Sequence, residues 1–330
     1  MERRSPRAVP VLIRGVLVAT VALWLSVPSP AAQKPKSFAD ALGTVDDLAK
    51  RIEPDMVQLR ASSLGIGNVP YLPALGAPPK RVALVSFYVR DLGTDEPGSP
   101  LYTGKTKAST SVAKDGAGVV ATGLLDAGMQ ALRGTLGEYG MQLLTPDQYL
   151  DSAKKRSAYT EFEVKASGLG VLAKEPGVQD APTTAQTTAR PSPVAEGYRL
   201  LRLPEVNGYR PVAHGSGPIN ESLGDKLARA LEVDAVLIVY NNCDASGKTI
   251  RLQEVNFYIF GPNPVKGQNT SSYWTGHLYV GLHLGKLEAP FLTVGKKGIK
   301  SEDYRGYERV MTAMAQRAGT FLREKTGAKQ

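Results

Sequence analysis

Cysteine and histidine are nearly absent from this chain of 330 residues, which has one cysteine and three histidines. A cysteine zinc site, an iron–sulfur cluster and an intrachain disulfide framework all need more cysteines than Cys243 alone supplies, so the count excludes them. His277 and His283 would lie roughly 20 Å apart along one strand, too far to share a metal ion. We therefore predict no metal site and no cofactor. Because Cys243 follows the apolar run AVLIVY, we expect a buried thiol; the alternative is a disulfide with another chain.

Aromatic residues are also sparse, at 7%, but hydrophobic residues make up 42% and charged residues 22% of the chain. These fractions are typical of globular proteins and exclude a wholly disordered chain or a polytopic membrane protein. The length alone allows two domains, but an export signal and a disordered tract reduce the expectation to one elaborated domain.

The amino-terminal segment has the pattern of a secretory signal peptide. Four arginines accompany the uncharged apolar run 15–27, and Ser29 and Ala31 supply small residues for a cleavage site. Thirteen residues are too few to span a bilayer core, which needs roughly 20. We therefore predict a cleavable signal peptide at 1–31, a periplasmic or secreted protein and no transmembrane span in the mature chain.

The rest of the chain divides by composition. We expect an N-terminal helical or loop extension at 32–79 and a single α/β domain at 80–330. Within that domain, the tract 163–196 is rich in Thr, Ala, Pro and Gln and too poor in large apolar groups to offset its ordering entropy. We predict a disordered insertion there.

The first half of the predicted domain contains one strong strand and one strong helix. RVALVSFYV at 81–89 is apolar on both alternating faces, as in a strand covered on both sides, and a long polar loop at 91–119 follows it. Apolar residues then recur from Leu125 to Tyr139 at helical spacing, and the helix should end near Gly140.

The second half predicts a helix, a buried strand and an antiparallel meander. The apolar phase of TIRLQEVNFYIF changes near Gln253, which indicates a bulge. Alternation in SYWTGHLYVGLHLG places Leu278 and Val280 on one face. The predicted fold class is α/β, in three layers, with a parallel N-terminal βαβ part, an antiparallel C-terminal meander and a closing C-terminal helix.

This order of elements, and above all the apolar helix, short turn and buried strand at Leu223 to Tyr240, resembles a small α/β envelope domain. That domain is shared by the TolB amino-terminal domain, the curli-secretion lipoproteins and related penicillin-binding-protein activators. The resemblance covers about half of the chain and implies a similar fold and an envelope role, although the lipidated cysteine of the lipoproteins is missing.

One candidate anion site lies ahead of the second predicted helix, at His214, Gly215, Ser216 and Gly217. Free amides at a helix start and the Ser216 hydroxyl can hold an anion. The alternative is ordinary helix capping. The same HGSGP run lacks the first glycine of a serine-hydrolase elbow.

A second candidate is the polar face of the predicted strand that contains Tyr273, His277, Tyr279 and His283. Aromatic and imidazole edges can stack on a sugar or on the side chains of a partner. The alternative is a face half-covered by the C-terminal helix.

A third candidate is the basic C-terminal part of the chain, where nine Lys or Arg residues stand against four acidic residues from Lys296 onward. We expect Lys296, Lys297, Lys300, Arg305 and Arg309 to form a ridge that contacts an anionic lipid, an anionic envelope polymer or the acidic face of an envelope protein. The alternative is a solvated helix. No nucleic-acid-binding motif accompanies these charges.

The sequence favours an exported, non-catalytic binding or scaffold protein of the cell envelope. The alternative is an exported hydrolase or small-ligand-binding enzyme whose site lies between the loop at 91–119 and residues 214–218.

Overall fold

The computed structural model of the protein describes residues 37–54, 77–90, 117–162, 193–201, 221–246, 248–262, 276–296 and 298–326. The predicted signal peptide, residues 91–116 of the predicted loop and residues 163–192 of the predicted insertion lie outside these ranges. The described elements belong to one compact unit.

The centre of the fold is an eight-stranded mixed sheet, with strands in the order β1-β6-β5-β4-β2-β3 and with β7 paired to β5 and β8. The strands are β1 (Ile52–Pro54), β2 (Arg81–Arg90), β3 (Gln142–Leu144), β4 (Ala235–Ser246), β5 (Thr249–Pro262), β6 (Gly276–Leu284), β7 (Ala289–Gly295) and β8 (Gly298–Glu302). β2 pairs in parallel with β3 and β4, whereas the pairs among β4, β5, β6, β7 and β8 are antiparallel. The predicted fold class is therefore confirmed.

Helices cover both faces of this sheet. They are α1 (Phe38–Leu42), α2 (Val45–Arg51), α3 (Ala117–Glu138), α4 (Pro146–Tyr149), α5 (Ala153–Glu161), a π-helix (Glu221–Leu227), α6 (Ala228–Ala230) and α7 (Tyr307–Thr326). The first face packs against α1, α2, α3 and α7, and the second face packs against α4, α5, the π-helix and α6. No described helix is long and apolar enough to cross a membrane.

The C-terminal helix buries a stripe of side chains against the first face. Tyr307, Met311, Met314, Ala318 and Leu322 are all buried. The helix begins at Tyr307, so Arg305 precedes it and does not share a helical surface with Arg309.

Two β-bulges change the face of the sheet from which the neighbouring side chains project. The pairing of β4 with β5 passes from Asn242 opposite Glu254 to Cys243 opposite Leu252, which confirms a bulge at Gln253. A second bulge, which the sequence did not reveal, lies where the pairing of β5 with β6 skips Tyr279. The prediction that Leu278 and Val280 share a face is therefore wrong, because Leu278 packs in the second-face core and Val280 in the first.

The outer edge of β2 is covered in two pieces. β3 pairs with residues 81–83, and Pro193–Ala195 bond to residues 87–89 through Val89 N to Pro193 O at 3.0 Å and Ala195 N to Phe87 O at 2.9 Å. Residues 193–196 are therefore ordered against the sheet, which corrects the predicted carboxyl end of the insertion.

Between these two pieces, side-chain hydroxyls bond to β2. The pairing of β2 with β4 also skips Val85 at this point. Tyr149 donates to the carbonyl of Leu84 at 3.0 Å, and Tyr159 donates to the carbonyl of Val85. The hydroxyl of Ser86 donates to Arg199 O at 2.8 Å. These three bonds satisfy polar groups that lack a neighbouring strand at this point.

Residues 37–54, which lie within the predicted extension, join the sheet and its first helical layer. β1 pairs with the end of β6, and the ring of Phe38 packs on Phe291 with centroids 5.5 Å apart. The guanidinium of Arg309 donates to the carbonyls of Ala39 and Gly43, which fastens the α1–α2 turn to α7.

Candidate functional site

The chain reverses its direction of travel across the sheet at β2. From β2 it passes through α3, on the first face, to β3 on one side; from β3 it passes through the helices of the second face to β4 on the other side. Such a switch point opens a crevice at the carboxyl ends of the strands, and ligands of open α/β sheets bind there. We therefore expect a ligand site where β2 ends against β4.

Polar side chains cross the second face of the sheet at that place in two rows. The register aligns Tyr88, Tyr240, Asn256, His283 and Glu53 across β2, β4, β5, β6 and β1. The next row aligns Arg90, Asn242 and Glu254. Because directly paired residues project from the same face, these eight side chains form one surface, which we call the polar platform.

Two hydrogen bonds orient the planar groups of the polar platform. His283 Nδ1 lies 3.0 Å from Asn256 Oδ1, and Asn242 Nδ2 donates to Glu254 Oε2 at 2.7 Å. Since an amide oxygen only accepts, Nδ1 of His283 carries the proton, and Nε2 of the neutral ring is an acceptor.

Aromatic rings form a strip beside these groups. The Tyr240 ring lies 5.2 Å from that of Tyr88 and 5.9 Å from that of Tyr258, at interplanar angles of 15° and 11°. The guanidinium carbon of Arg90 is 5.5 Å from the centroid of Tyr240. The cation therefore lies within the range of a cation–π contact.

The polar platform has a buried floor and a partly open rim. Asn256 is 4% exposed and Arg90 is 7% exposed. Tyr240, Asn242, Glu254 and His283 are half-buried. Asn256 Nδ2 is buried and has no hydrogen-bond partner among the described residues. Most buried polar groups in proteins are paired, so this donor requires an explanation.

Among the described residues of the predicted polar strand face, His283 alone belongs to the polar platform. His277 is 6% exposed, and Tyr279, displaced by the bulge, enters the first-face core and donates its hydroxyl to Pro262 O. Tyr273 lies outside the described residues, as do His214, Gly215, Ser216 and Gly217. The structure thus does not bring the described members of that face together on one surface.

The predicted basic ridge separates into three parts. Lys296 and Lys300 are exposed on the β7–β8 hairpin, whereas Lys297 lies outside the described residues. Arg305 forms a bidentate pair with Asp303, with both contacts at 2.8 Å, and these bonds hold the pKa of Asp303 below its ordinary value. Arg309 is committed to the α1–α2 turn.

A lysine that the sequence did not single out joins the hairpin. Lys248 is exposed in the turn between β4 and β5, and its carbonyl accepts a hydrogen bond from Val294 N at 2.9 Å. The two turns are neighbours because Thr249 pairs with Thr293. We call Lys248, Lys296 and Lys300 the basic hairpin end.

An open groove of about 420 Å³ lies beside the first turns of α3, at the end of the predicted 91–119 loop. Its lining consists of Gly118, Val119, Thr122, Gly123, Asp126, Val194, Glu196, Glu302 and Tyr304. Tyr304 donates to Glu302 at 2.9 Å, and burial together with this bond raises the pKa of the phenol. The described lining contains no serine, cysteine or histidine, and its threonine hydroxyl, that of Thr122, donates to Gly118 O at 2.9 Å.

Cys243 is 2% exposed and packs in the first-face core, which confirms the expected burial. Its side chain and that of His283 lie on opposite faces of the sheet. The two cannot form the thiolate–imidazole pair that a cysteine enzyme needs.

Sequence reasoning missed Arg90, Tyr240, Asn242, Glu254 and Asn256, the residues that give the polar platform its chemistry. The available signal was a polar residue inside an otherwise apolar strand, as Asn256 is between Val255 and Phe257. Such a residue must be paired or must serve a ligand.

Searches of protein-family models, of curated proteins and of solved structures found no match to this chain.

Proposed function

We propose that the chain is an exported, non-catalytic protein of the cell envelope that binds an anionic phospholipid surface through the basic hairpin end. The observation that carries the proposal is the convergence of three exposed lysines: Lys248 in the β4–β5 turn, and Lys296 and Lys300 on the adjacent β7–β8 hairpin. Export is supported by the composition of residues 1–31, and an envelope role by the resemblance of Leu223 to Tyr240 to the TolB amino-terminal group.

Charge favours a polyanion as the partner. The carboxylate of Asp244 lies in the same part of β4, but it faces Arg251, whose Nη1 is 3.9 Å away. A lysine near an anionic membrane surface contributes about 1 kcal/mol, and the effect decays over a Debye length of about 8 Å at physiological salt. Three lysines on the β4–β5 turn and the adjacent β7–β8 hairpin can approach such a surface together.

A lipid surface fits better than a protein partner. Protein interfaces depend on large apolar or aromatic anchors. Among the described residues the exposed large hydrophobic side chain is Val119, and it lines the groove beside α3 instead of the basic hairpin end.

The test is sedimentation with phosphatidylcholine vesicles that contain or lack phosphatidylglycerol. We expect binding only to the anionic vesicles at low salt, and we expect the variant K248Q/K296Q/K300Q to lose at least tenfold in affinity. The matched control K50Q/K80Q/K154Q removes the same charge from α2, the start of β2 and α5. Equal loss in the control, or equal binding to neutral vesicles, would overturn the proposal; salt-insensitive capture by a protein would indicate a protein interface instead.

Export is tested separately. A fusion of residues 1–35 to a periplasmic reporter should cross the inner membrane and be cleaved near Ala31. An uncleaved product that remains in the membrane would mean that the segment is an anchor.

A further inference from the structure

The buried amide of Asn256 marks a second site, distinct from the basic hairpin end. Its Oδ1 is engaged by His283, whereas its Nδ2 has no partner among the described residues although the side chain is 4% exposed. A leucine of similar size would avoid this unpaired donor. A donor held in this position by a neighbouring imidazole is suited to a ligand acceptor.

The groups around Asn256 can both donate and accept. In the neutral ring, Nε2 of His283 accepts. Asn242 and Glu254 form a planar amide–carboxylate pair at 2.7 Å, and the Oδ1 of Asn242 has no partner among the described residues. A ligand that fits all these groups must itself donate and accept at several points, as vicinal hydroxyls do.

The charges of the polar platform exclude simpler ligands. The rows contain one cation, Arg90, and two carboxylates, Glu254 and Glu53. Arg90 and Glu254 lie on either side of Asn242 with opposite charges, so an ion of either sign would meet a like charge there. An uncharged polar ligand avoids that repulsion.

The aromatic strip supplies the other half of the recognition. Tyr240 is half-buried and lies between the rings of Tyr88 and Tyr258 at nearly parallel angles. Because these neighbouring rings cover its faces, Tyr240 presents its half-exposed edge, which can contact the apolar C–H groups of a pyranose.

We propose that the polar platform, at the switch point where β2 ends against β4, binds an uncharged carbohydrate. The half-exposed edge of Tyr240 packs against a sugar ring, Asn256 Nδ2 donates to a ring or hydroxyl oxygen, and the Asn242–Glu254 pair and His283 bond to neighbouring hydroxyls. The bound sugar completes the hydrogen bonding of the floor.

The experiment is a glycan array probed with the mature protein, followed by titration calorimetry with each retained glycan. We expect retention of neutral glycans that does not weaken at high salt. Y240A and N256L should each lower the affinity at least tenfold, whereas the control Q253A, at the exposed bulge residue of the same strand, should bind as the wild type does. If N256L fails to fold, N242S tests instead the contribution of the half-exposed Asn242–Glu254 pair.

Three outcomes would overturn the proposal. In the first, the wild type retains no glycan above the level of the N256L or N242S variant. In the second, Y240A binds its glycan with unchanged affinity. In the third, only anionic glycans are retained, and K248Q/K296Q/K300Q no longer retains them. The last result would assign the signal to the basic hairpin end and would leave the proposed function standing.

Discussion

The hydroxyl of Tyr307, the first residue of α7, donates a 2.6 Å hydrogen bond to Oδ1 of Asn241 on β4. Both residues are 0% exposed, and they lie on the first face of the sheet. The Phe87 ring meets the Tyr307 ring edge-on, with centroids 6.4 Å apart. The amide thus fixes where the helix begins on the sheet.

Replacing Tyr307 by Phe should lower the free energy of unfolding by about 1–3 kcal/mol, because Oδ1 of Asn241 is left buried without a donor. Urea unfolding followed by circular dichroism measures the change. Tyr139→Phe is the control, since its half-buried hydroxyl only meets Thr320 at 3.3 Å. A loss no greater than in the control would mean that packing alone positions α7.

Stability should also fall in alkali. Burial raises the pKa of Tyr307 and of Tyr149 well above the ordinary value of 10.0. The unfolded chain therefore loses these protons at a lower pH than the folded chain does. Their stabilising contribution is complete below about pH 10 and declines as the pH rises toward the folded-state pKa values. Urea midpoints measured from neutral pH upward should fall above that pH, less steeply in Tyr307→Phe; identical slopes in the two proteins would contradict this.

The hydroxyls that fill the gap in the edge of β2 should be worth more than ordinary surface bonds. Tyr159→Phe removes the donor to Val85 O and the acceptor for Arg199 N, which is 3.0 Å away. We expect a loss of about 1–3 kcal/mol in Tyr159→Phe and a similar loss in Tyr149→Phe. Thermal or urea unfolding checks both. Wild-type stability in either variant would show that water replaces the hydroxyl.

The central tract of the predicted insertion should be replaceable. Exchanging residues 163–192 for a glycine–serine linker of equal length should leave the thermal midpoint nearly unchanged. Extending the exchange to 163–196 should lower it, because the bonds to β2 and the bond from Glu196 N to Thr122 Oγ1 at 2.9 Å are disturbed. If the shorter exchange costs several degrees, the tract packs on the domain.

Periodicity predicted the elements whose apolar pattern is long and regular. β2, α3 and α7 follow from such runs, and the bulge at Gln253 follows from a visible change of phase. The bulge at Tyr279 was missed because Leu278, Tyr279 and Val280 are all apolar enough to be buried on either face.

The candidate sites were harder to predict for a different reason. The polar platform unites Glu53, Arg90, Asn242, Asn256 and His283, which lie on five strands. Their proximity depends on strand order and register, which no local pattern contains. The basic hairpin end likewise needed the pairing of Thr249 with Thr293 to bring Lys248 beside the predicted lysines.

The position of α7 constrains the order of folding. Every strand precedes it in the chain, yet Tyr307, Met311 and Met314 complete the first-face core against α3 and the sheet. Until the helix docks, the part of that face which it covers remains exposed to water. The two ends of the described chain, α1–α2 and α7, must therefore meet to complete the native core, and the bond between Arg309 and Gly43 closes a loop of 266 residues.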